Sequence, residues 1–263
     1  MSNVRLVRRA LRSVLVPLAA TGLVVAACGD QDETAQSGVS GDVVVFAAAS
    51  LTDSFTEIGE AFMAAHPDAD VTLSFAASSD LVAQLNEGAP ADVFASADQN
   101  NMTKLTDAAG DAGAPQIFVK NSLQVAVEAG NPLGITGVAD LADSDLILVT
   151  TDPEVPIGAY SQEVFANAGV TVTPDSLEEN VRAVLDKVAL GEADAGVVYA
   201  TDVLAVGDTV TGVEIPADVN VTPEYPIVAT AAAPNPDCAA TFVEFVLGVA
   251  GQEILQRYGF LAP

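Results

Sequence analysis

Two serines stand out because each follows a strand and opens a helix. In Phe46-Ala47-Ala48-Ala49-Ser50-Leu51-Thr52-Asp53, the run Val43-Val44-Val45-Phe46 reads as a buried strand. Three alanines carry the turn, and Leu51, Phe55, Ile58 and Phe62 then keep helical spacing. Ser50 with Asp53 three residues on is a helix-start signature. A helix beginning there brings unpaired N–H groups, a positive dipole end and a hydroxyl to the carboxyl end of a strand. Those are the ingredients of an oxyanion site. Taken alone, Ser50 is better explained as a helix cap. The chain, however, repeats the arrangement. Val71-Thr72-Leu73-Ser74-Phe75 alternates like a strand, and Ala76-Ala77-Ser78-Ser79-Asp80 opens a helix with Leu81 and Leu85 on one face. Gly88 and Pro90 stop it.

Other chemistries lack their residues. A serine nucleophile needs a base, and the one histidine, His66, lies in the turn His66-Pro67-Asp68. Neither Gly-x-Ser-x-Gly nor Ser-x-x-Lys occurs, so enzymatic activity is not expected. One His and four scattered Tyr do not make a transition-metal site, and no calcium-loop spacing appears. The two cysteines, Cys28 and Cys238, show no paired spacing. No Gly-x-x-x-x-Gly-Lys motif is present to bind a nucleotide, and no cofactor is implied.

The elements that must position these serines follow one grammar. Asp92-Val93-Phe94-Ala95-Ser96 is a third short strand, with Asp98 as a helix cap. Phe118 to Val127 reads as one long extended segment that leaves a first domain and enters a second. Leu146-Ile147-Leu148-Val149 is the next buried strand, and Pro156 suits a first helical position. Asn167-Ala168-Gly169 is a stop. Asn180 caps a helix carrying Val181, Val184, Leu185 and Val188, and Gly191 ends it. Ala195-Gly196-Val197-Val198-Tyr199 is a strand. Pro226-Ile227-Val228-Ala229-Thr230 is an apolar run able to return the chain to the first domain. A single amphipathic helix holding Phe242, Phe245, Val246, Val249, Ile254 and Leu255 ends the fold. Strands alternating with helices indicate α/β domains with mainly parallel sheets, which bind ligands outside the carboxyl ends of their strands. We expect two lobes with two crossovers: residues 42–120 with 221–263, and residues 121–220.

Charge is lopsided: 36 acidic residues against nine basic, a net charge of −27. Four of the nine, Arg5, Arg8, Arg9 and Arg12, precede the apolar run that begins at Val14. So acidic a surface repels nucleic acid and anionic lipid. Residues 1–27 read as an export signal, since Pro17 and Gly22 interrupt a run already short for a bilayer crossing. Val25-Ala26-Ala27-Cys28 resembles a lipoprotein signal in which Cys28 becomes the lipidated first residue. Residues 28–41 are polar, acidic and Gly/Ser-containing, and read as a flexible linker.

Beyond these patterns, the chain resembles the molybdate-binding proteins of bacterial ABC transporters. Phe46 to Leu51 matches the family's opening motif, and Gly88-Ala89-Pro90-Ala91-Asp92-Val93-Phe94-Ala95-Ser96-Ala97-Asp98 is similar to its second hallmark. Asp152-Pro153, Val155-Pro156, Gly158 and Tyr160 are similar to a third, Gly196 to Tyr199 to a fourth, and Arg257-Tyr258-Gly259-Phe260 to the close. The similarity runs in order from about Val43 to Phe260. It implies a two-lobed periplasmic-binding-protein fold (type II). It also implies an oxyanion, molybdate or tungstate, held by neutral donors: hydroxyl and N–H groups of Ser50 and Ser78, backbone N–H groups of Ile157 and Val181, and the phenol of Tyr199. The implied partner is an ABC transporter permease. The implied setting is the outer face of the cytoplasmic membrane, anchored through Cys28, with the protein a monomer. Asp53 and Asp80 are expected to cap their own helices rather than face the ligand, and Arg182 to pair with an acid. Another oxyanion such as sulfate, an organic acid, or a surface lipoprotein without transport remain the alternatives.

Overall fold

The computed structural model describes residues 39–109 and 113–263. The leader and Cys28 lie outside the described residues. The first half runs β1 (Gly41–Ala48), α1 (Thr52–Ala65), β2 (Ala69–Ala76), α2 (Ser78–Asn86), β3 (Val93–Ala95), α3 (Gln99–Ala109), β4 (Gln116–Lys120) and β5 (Leu123–Glu128). The second half runs β6 (Leu148–Thr151), α4 (Pro156–Ala168), β7 (Ser176–Glu178), α5 (Val181–Ala189), β8 (Ala195–Tyr199), α6 (Ala200–Val206), β9 (Val210–Glu214), β10 (Glu224–Ala229), α7 (Pro236–Leu247) and α8 (Val249–Arg257). A short 3-10 turn, Ala49–Leu51, joins β1 to α1.

The strands form two five-stranded sheets, ordered β2-β1-β3-β10-β4 and β7-β6-β8-β5-β9. In the first, β1 lies parallel to β2 and β3, and β10 runs against β3 and β4. In the second, β6 lies parallel to β7 and β8, and β5 runs against β8 and β9. The chain therefore crosses between sheets twice, from β4 to β5 and from β9 to β10. Each lobe is built on one sheet with one reversed strand, and that reversed strand is a crossover strand.

The long extended segment expected from Phe118 to Val127 is two strands in two sheets. Asn121 and Ser122 break it. The Asn121 N–H donates to Pro223 O at 3.0 Å, so the two crossovers are tied at this point. The single terminal helix is also two, α7 and α8, bent by 57°. Gly248 sits extended at the joint, and a Cβ on Gly251 would lie 2.5 Å from Phe245 O and Val246 O. Only glycine lets α8 fold back that closely on α7.

The first lobe's core explains its helix pattern. Leu51, Phe55, Ile58 and Phe62 are wholly buried, on the face of α1 turned to the sheet. Phe62 meets Phe242 and Phe245 of α7 edge-on at 5.2 and 5.5 Å, and Phe55 meets Phe118 at 5.8 Å. Such rings each contribute about 1.5–3 kcal/mol by burial, which fixes α1, and with it Ser50, against the sheet.

Candidate functional site

Ser50, Ser78, Ile157, Val181 and Tyr199 line one cavity. The rest of its wall is five alanines with Val155, Pro156 and Asn180. Every one of these residues falls just past, or at, the carboxyl end of a strand. Ala48 ends β1, Ala76 ends β2, Ala97 follows β3, Val155 follows β6, Asn180 follows β7 and Tyr199 ends β8. The parallel strands of both lobes thus point their carboxyl ends into one space.

Helix starts supply the donors. Ser78 and Val181 are the first residues of α2 and α5, and Ile157 is the second of α4. N–H groups at such positions have no acceptor within their own helix. The Asn180 side chain accepts from the N–H groups of Arg182 and Ala183, at 2.9 and 3.2 Å, and so satisfies the second and third donors of α5. That leaves the Val181 N–H as the open donor of the turn. Pro156 stands first in α4, where its missing N–H costs nothing. Gly158 follows because α4 starts against its own strand: a Cβ there would lie 2.3 Å from Asp152 O.

Side-chain hydroxyls add to these donors. Ser78 Oγ accepts from the Ala97 N–H at 3.0 Å, so its own hydrogen is free. Ser50 Oγ lies 3.1 Å from Tyr225 Oη. Tyr225 Oη in turn faces Asn121. Its Oδ1 accepts from the Ser122 N–H at 2.9 Å, so its Nδ2 must be the atom facing Thr201 Oγ1 at 2.9 Å and Tyr225 Oη at 3.4 Å. Tyr225 Oη therefore receives from Asn121, and with its second lone pair and its own hydrogen it can either accept from Ser50 or donate to it. Tyr199 Oη is buried and has no hydrogen-bond partner among the described residues. Thr150 Oγ1 shares that condition but does not line the cavity. Burial, then the neighbouring Tyr225 and Tyr160 phenols and the Asp98 carboxylate, holds the Tyr199 phenol well above its ordinary pKa, so it stays a neutral O–H donor.

No carboxylate reaches the wall. Asp53 and Asp80 do not line it. The expectation that they cap their helices fails: α1 and α2 have no side-chain cap. Asp53 instead pairs with Arg182 Nη2 at 2.7 Å, and Arg182 Nε also lies 3.0 Å from Asp202 Oδ1. Asp202 accepts from the Tyr199 N–H at 3.1 Å and so holds the start of α6. Burial raises the Asp202 carboxyl to about 6, against the lowering pull of Arg182 and the Tyr199 N–H. Asp98, by contrast, does cap its helix, accepting from the Asn101 N–H at 3.0 Å.

Sequence reasoning missed Tyr225 and Asn121. Tyr225 sits on an antiparallel strand, away from the strand–serine–helix grammar, and Asn121 looks like an ordinary turn residue. Phe260 is buried and stacks edge-on to Tyr225 at 5.7 Å.

Comparison with known proteins agrees with this architecture. Residues 43–261 match the family model of bacterial extracellular solute-binding proteins. The molybdate-binding protein ModA of Mycobacterium tuberculosis is 42% identical over 221 residues, covering 84% of this chain and 85% of that one. The sulfate-binding protein SubI of the same species shares the fold with a TM-score of 0.75 at 20% identity, over 84% of this chain and 86% of that one. The periplasmic molybdate-binding protein of Azotobacter vinelandii does so at 0.73 and 21%, over 84% and 99%. The two-lobed arrangement is thus the periplasmic-binding-protein fold. With nearly all its described length matched, the chain belongs to the bacterial extracellular solute-binding proteins, in the family of the molybdate-binding proteins.

Proposed function

We propose that this protein captures molybdate, and tungstate with it, between its lobes and delivers the anion to the permease of an ABC transporter. The observation that carries the proposal is a cavity lining of hydroxyls and helix-start N–H groups, with no carboxylate among the described residues that line it. Molybdate and tungstate are tetrahedral dianions without protons at neutral pH. They accept hydrogen bonds and offer none, which is what Ser50, Ser78, Ile157, Val181 and Tyr199 are arranged to meet. A protonated phosphate brings an O–H that no carboxylate of the wall accepts, a mismatch of roughly 1–3 kcal/mol.

The acidic surface does not oppose this. Exposed charges are screened over about 8 Å at physiological ionic strength. Helix starts carry roughly half a positive charge each, with N–H groups at contact distance. Several such ends around a dry cavity outweigh the distant field.

The lobes, residues 42–120 with 221–263 and residues 121–220, move as bodies about the two crossovers. The anion lowers the free energy of the closed form, and the permease recognises that form. The chain is exported as a monomer, and lipid on Cys28 holds it, through residues 28–41, at the outer face of the cytoplasmic membrane.

Sulfate, also a proton-free dianion, meets the same donors. Selection against it rests on its smaller size. Calorimetric titration with molybdate, tungstate, sulfate and phosphate tests the proposal. Tight binding of the first two and weak binding of the others is expected; sulfate binding as tight as molybdate overturns the assignment.

A further inference from the structure

Both lobes are strongly acidic. Residues 121–220 hold 17 acidic side chains against Arg182 and Lys187, and residues 42–120 with 221–263 hold 16 against Lys104, Lys120 and Arg257. Closing the cleft brings two surfaces of one sign together, and their repulsion favours opening. Two ion pairs cross the cleft against that repulsion. Lys104 Nζ, on α3, lies 2.8 Å from Glu154 Oε2, in the loop before α4. Arg182 Nη2, on α5, lies 2.7 Å from Asp53 Oδ2, on α1.

The pairs are not equivalent. The Lys104 and Glu154 side chains are 46% and 77% exposed, and such contacts contribute almost nothing. Asp53 is 43% exposed, but Arg182 is only 22% exposed and is held from behind by Asp202, which is fully buried. The guanidinium is thus set in the second lobe before it reaches the first, and loses little freedom in making the contact. Its neighbours are telling. Arg182 follows Val181, Asp202 receives the Tyr199 N–H, and Asp53 lies one helical turn past Ser50. Arg182 itself does not line the cavity.

We infer that Arg182 is a positioning residue: braced by Asp202, it latches the second lobe to Asp53 of the first and so sets anion affinity without touching the anion. The affinity part rests on the cavity being the anion site; the latch itself does not.

Asp53→Asn separates this role from simple electrostatics. It removes a negative charge near a dianion, so charge alone predicts tighter binding. It also reduces the interlobe contact from an ion pair to a neutral hydrogen bond while leaving Arg182 paired with Asp202, so a latch predicts weaker binding. Calorimetry with molybdate is expected to show Asp53→Asn weakened by about five- to tenfold, and Lys104→Gln changed less than about twofold. Small-angle scattering without anion is expected to give Asp53→Asn a larger radius of gyration than the wild type. Asp53→Asn binding molybdate as well as, or better than, the wild type overturns the inference, as does identical scattering of the anion-free proteins. If the wild type itself binds no molybdate, the functional proposal fails, and the scattering comparison still decides the latch.

Discussion

Tyr199→Phe should separate affinity from stability. The phenol is 1% exposed, and its oxygen has no protein partner among the described residues. In the anion-free protein that oxygen is a buried polar group left to whatever water enters the cavity, so deleting it removes little and relieves an unmet hydrogen bond. In the complex it donates to a dianion, and a hydrogen bond to a charged partner contributes about 1.5–3 kcal/mol. The variant should therefore bind molybdate about 10- to 150-fold more weakly, while its anion-free melting temperature stays level or rises. Calorimetry gives the first quantity and a thermal melt the second. At saturating molybdate the wild type should gain more melting temperature than the variant, by linkage. Affinity within about threefold of the wild type would refute the reasoning, because it would mean the phenol never meets the anion. So would a marked loss of anion-free stability, because it would mean that the hydroxyl has a partner within the protein.

Further expectations follow from neighbouring groups. Tyr225→Phe removes the hydroxyl that holds Ser50 Oγ in place and should weaken molybdate about three- to tenfold in the same titration, with Asn121 still bonded to Thr201. Gly158→Ala forces a Cβ to within 2.3 Å of Asp152 O and should destabilise the fold by about 1–3 kcal/mol in a denaturant titration, with affinity falling as the start of α4 shifts. The Asp202 carboxyl, raised from 3.8 to about 6 by burial, is protonated in the folded chain over a range where the unfolded chain has released its proton. Its contribution to stability therefore falls as pH rises from about 4 to about 6. Thermal melts of Asp202→Asn should gain on the wild type through that window, and a flat difference would show that Arg182 fully compensates the buried charge.

The half of the site built from strand–serine–helix units was legible because its signals are local. Ser50 and Ser78 each follow an apolar run and precede a helical period, and that order alone places a hydroxyl at a strand's carboxyl end. Tyr225 and Asn121 were not legible, because their roles depend on which strand neighbours which. Tyr225 is 175 residues from the serine it contacts. The terminal helix was misread as one because Gly248 and Gly251 sit inside an unbroken apolar period, and periodicity does not register a bend. Capping logic assigned Asp53 to its own helix, yet a charged partner from the other lobe wins it. Local rules describe a residue's options, and a cation from elsewhere in the chain can offer a better one. Strands β7 and β9 escaped notice: Ser176–Glu178 is too short for a pattern, and Val210–Glu214 lies at a sheet edge with half-exposed residues.

The central claim is that uncharged donors from two lobes close on one proton-free tetrahedral anion. A crystal of the protein grown with tungstate, with diffraction recorded at the tungsten absorption edge, tests it most directly. A single strong anomalous peak is predicted within hydrogen-bond reach, through its oxygens, of Ser50 Oγ, Ser78 Oγ, Tyr199 Oη and the N–H groups of Ile157 and Val181. A peak bound elsewhere, or one whose oxygens meet a carboxylate or the Arg182 guanidinium in place of those donors, would contradict it.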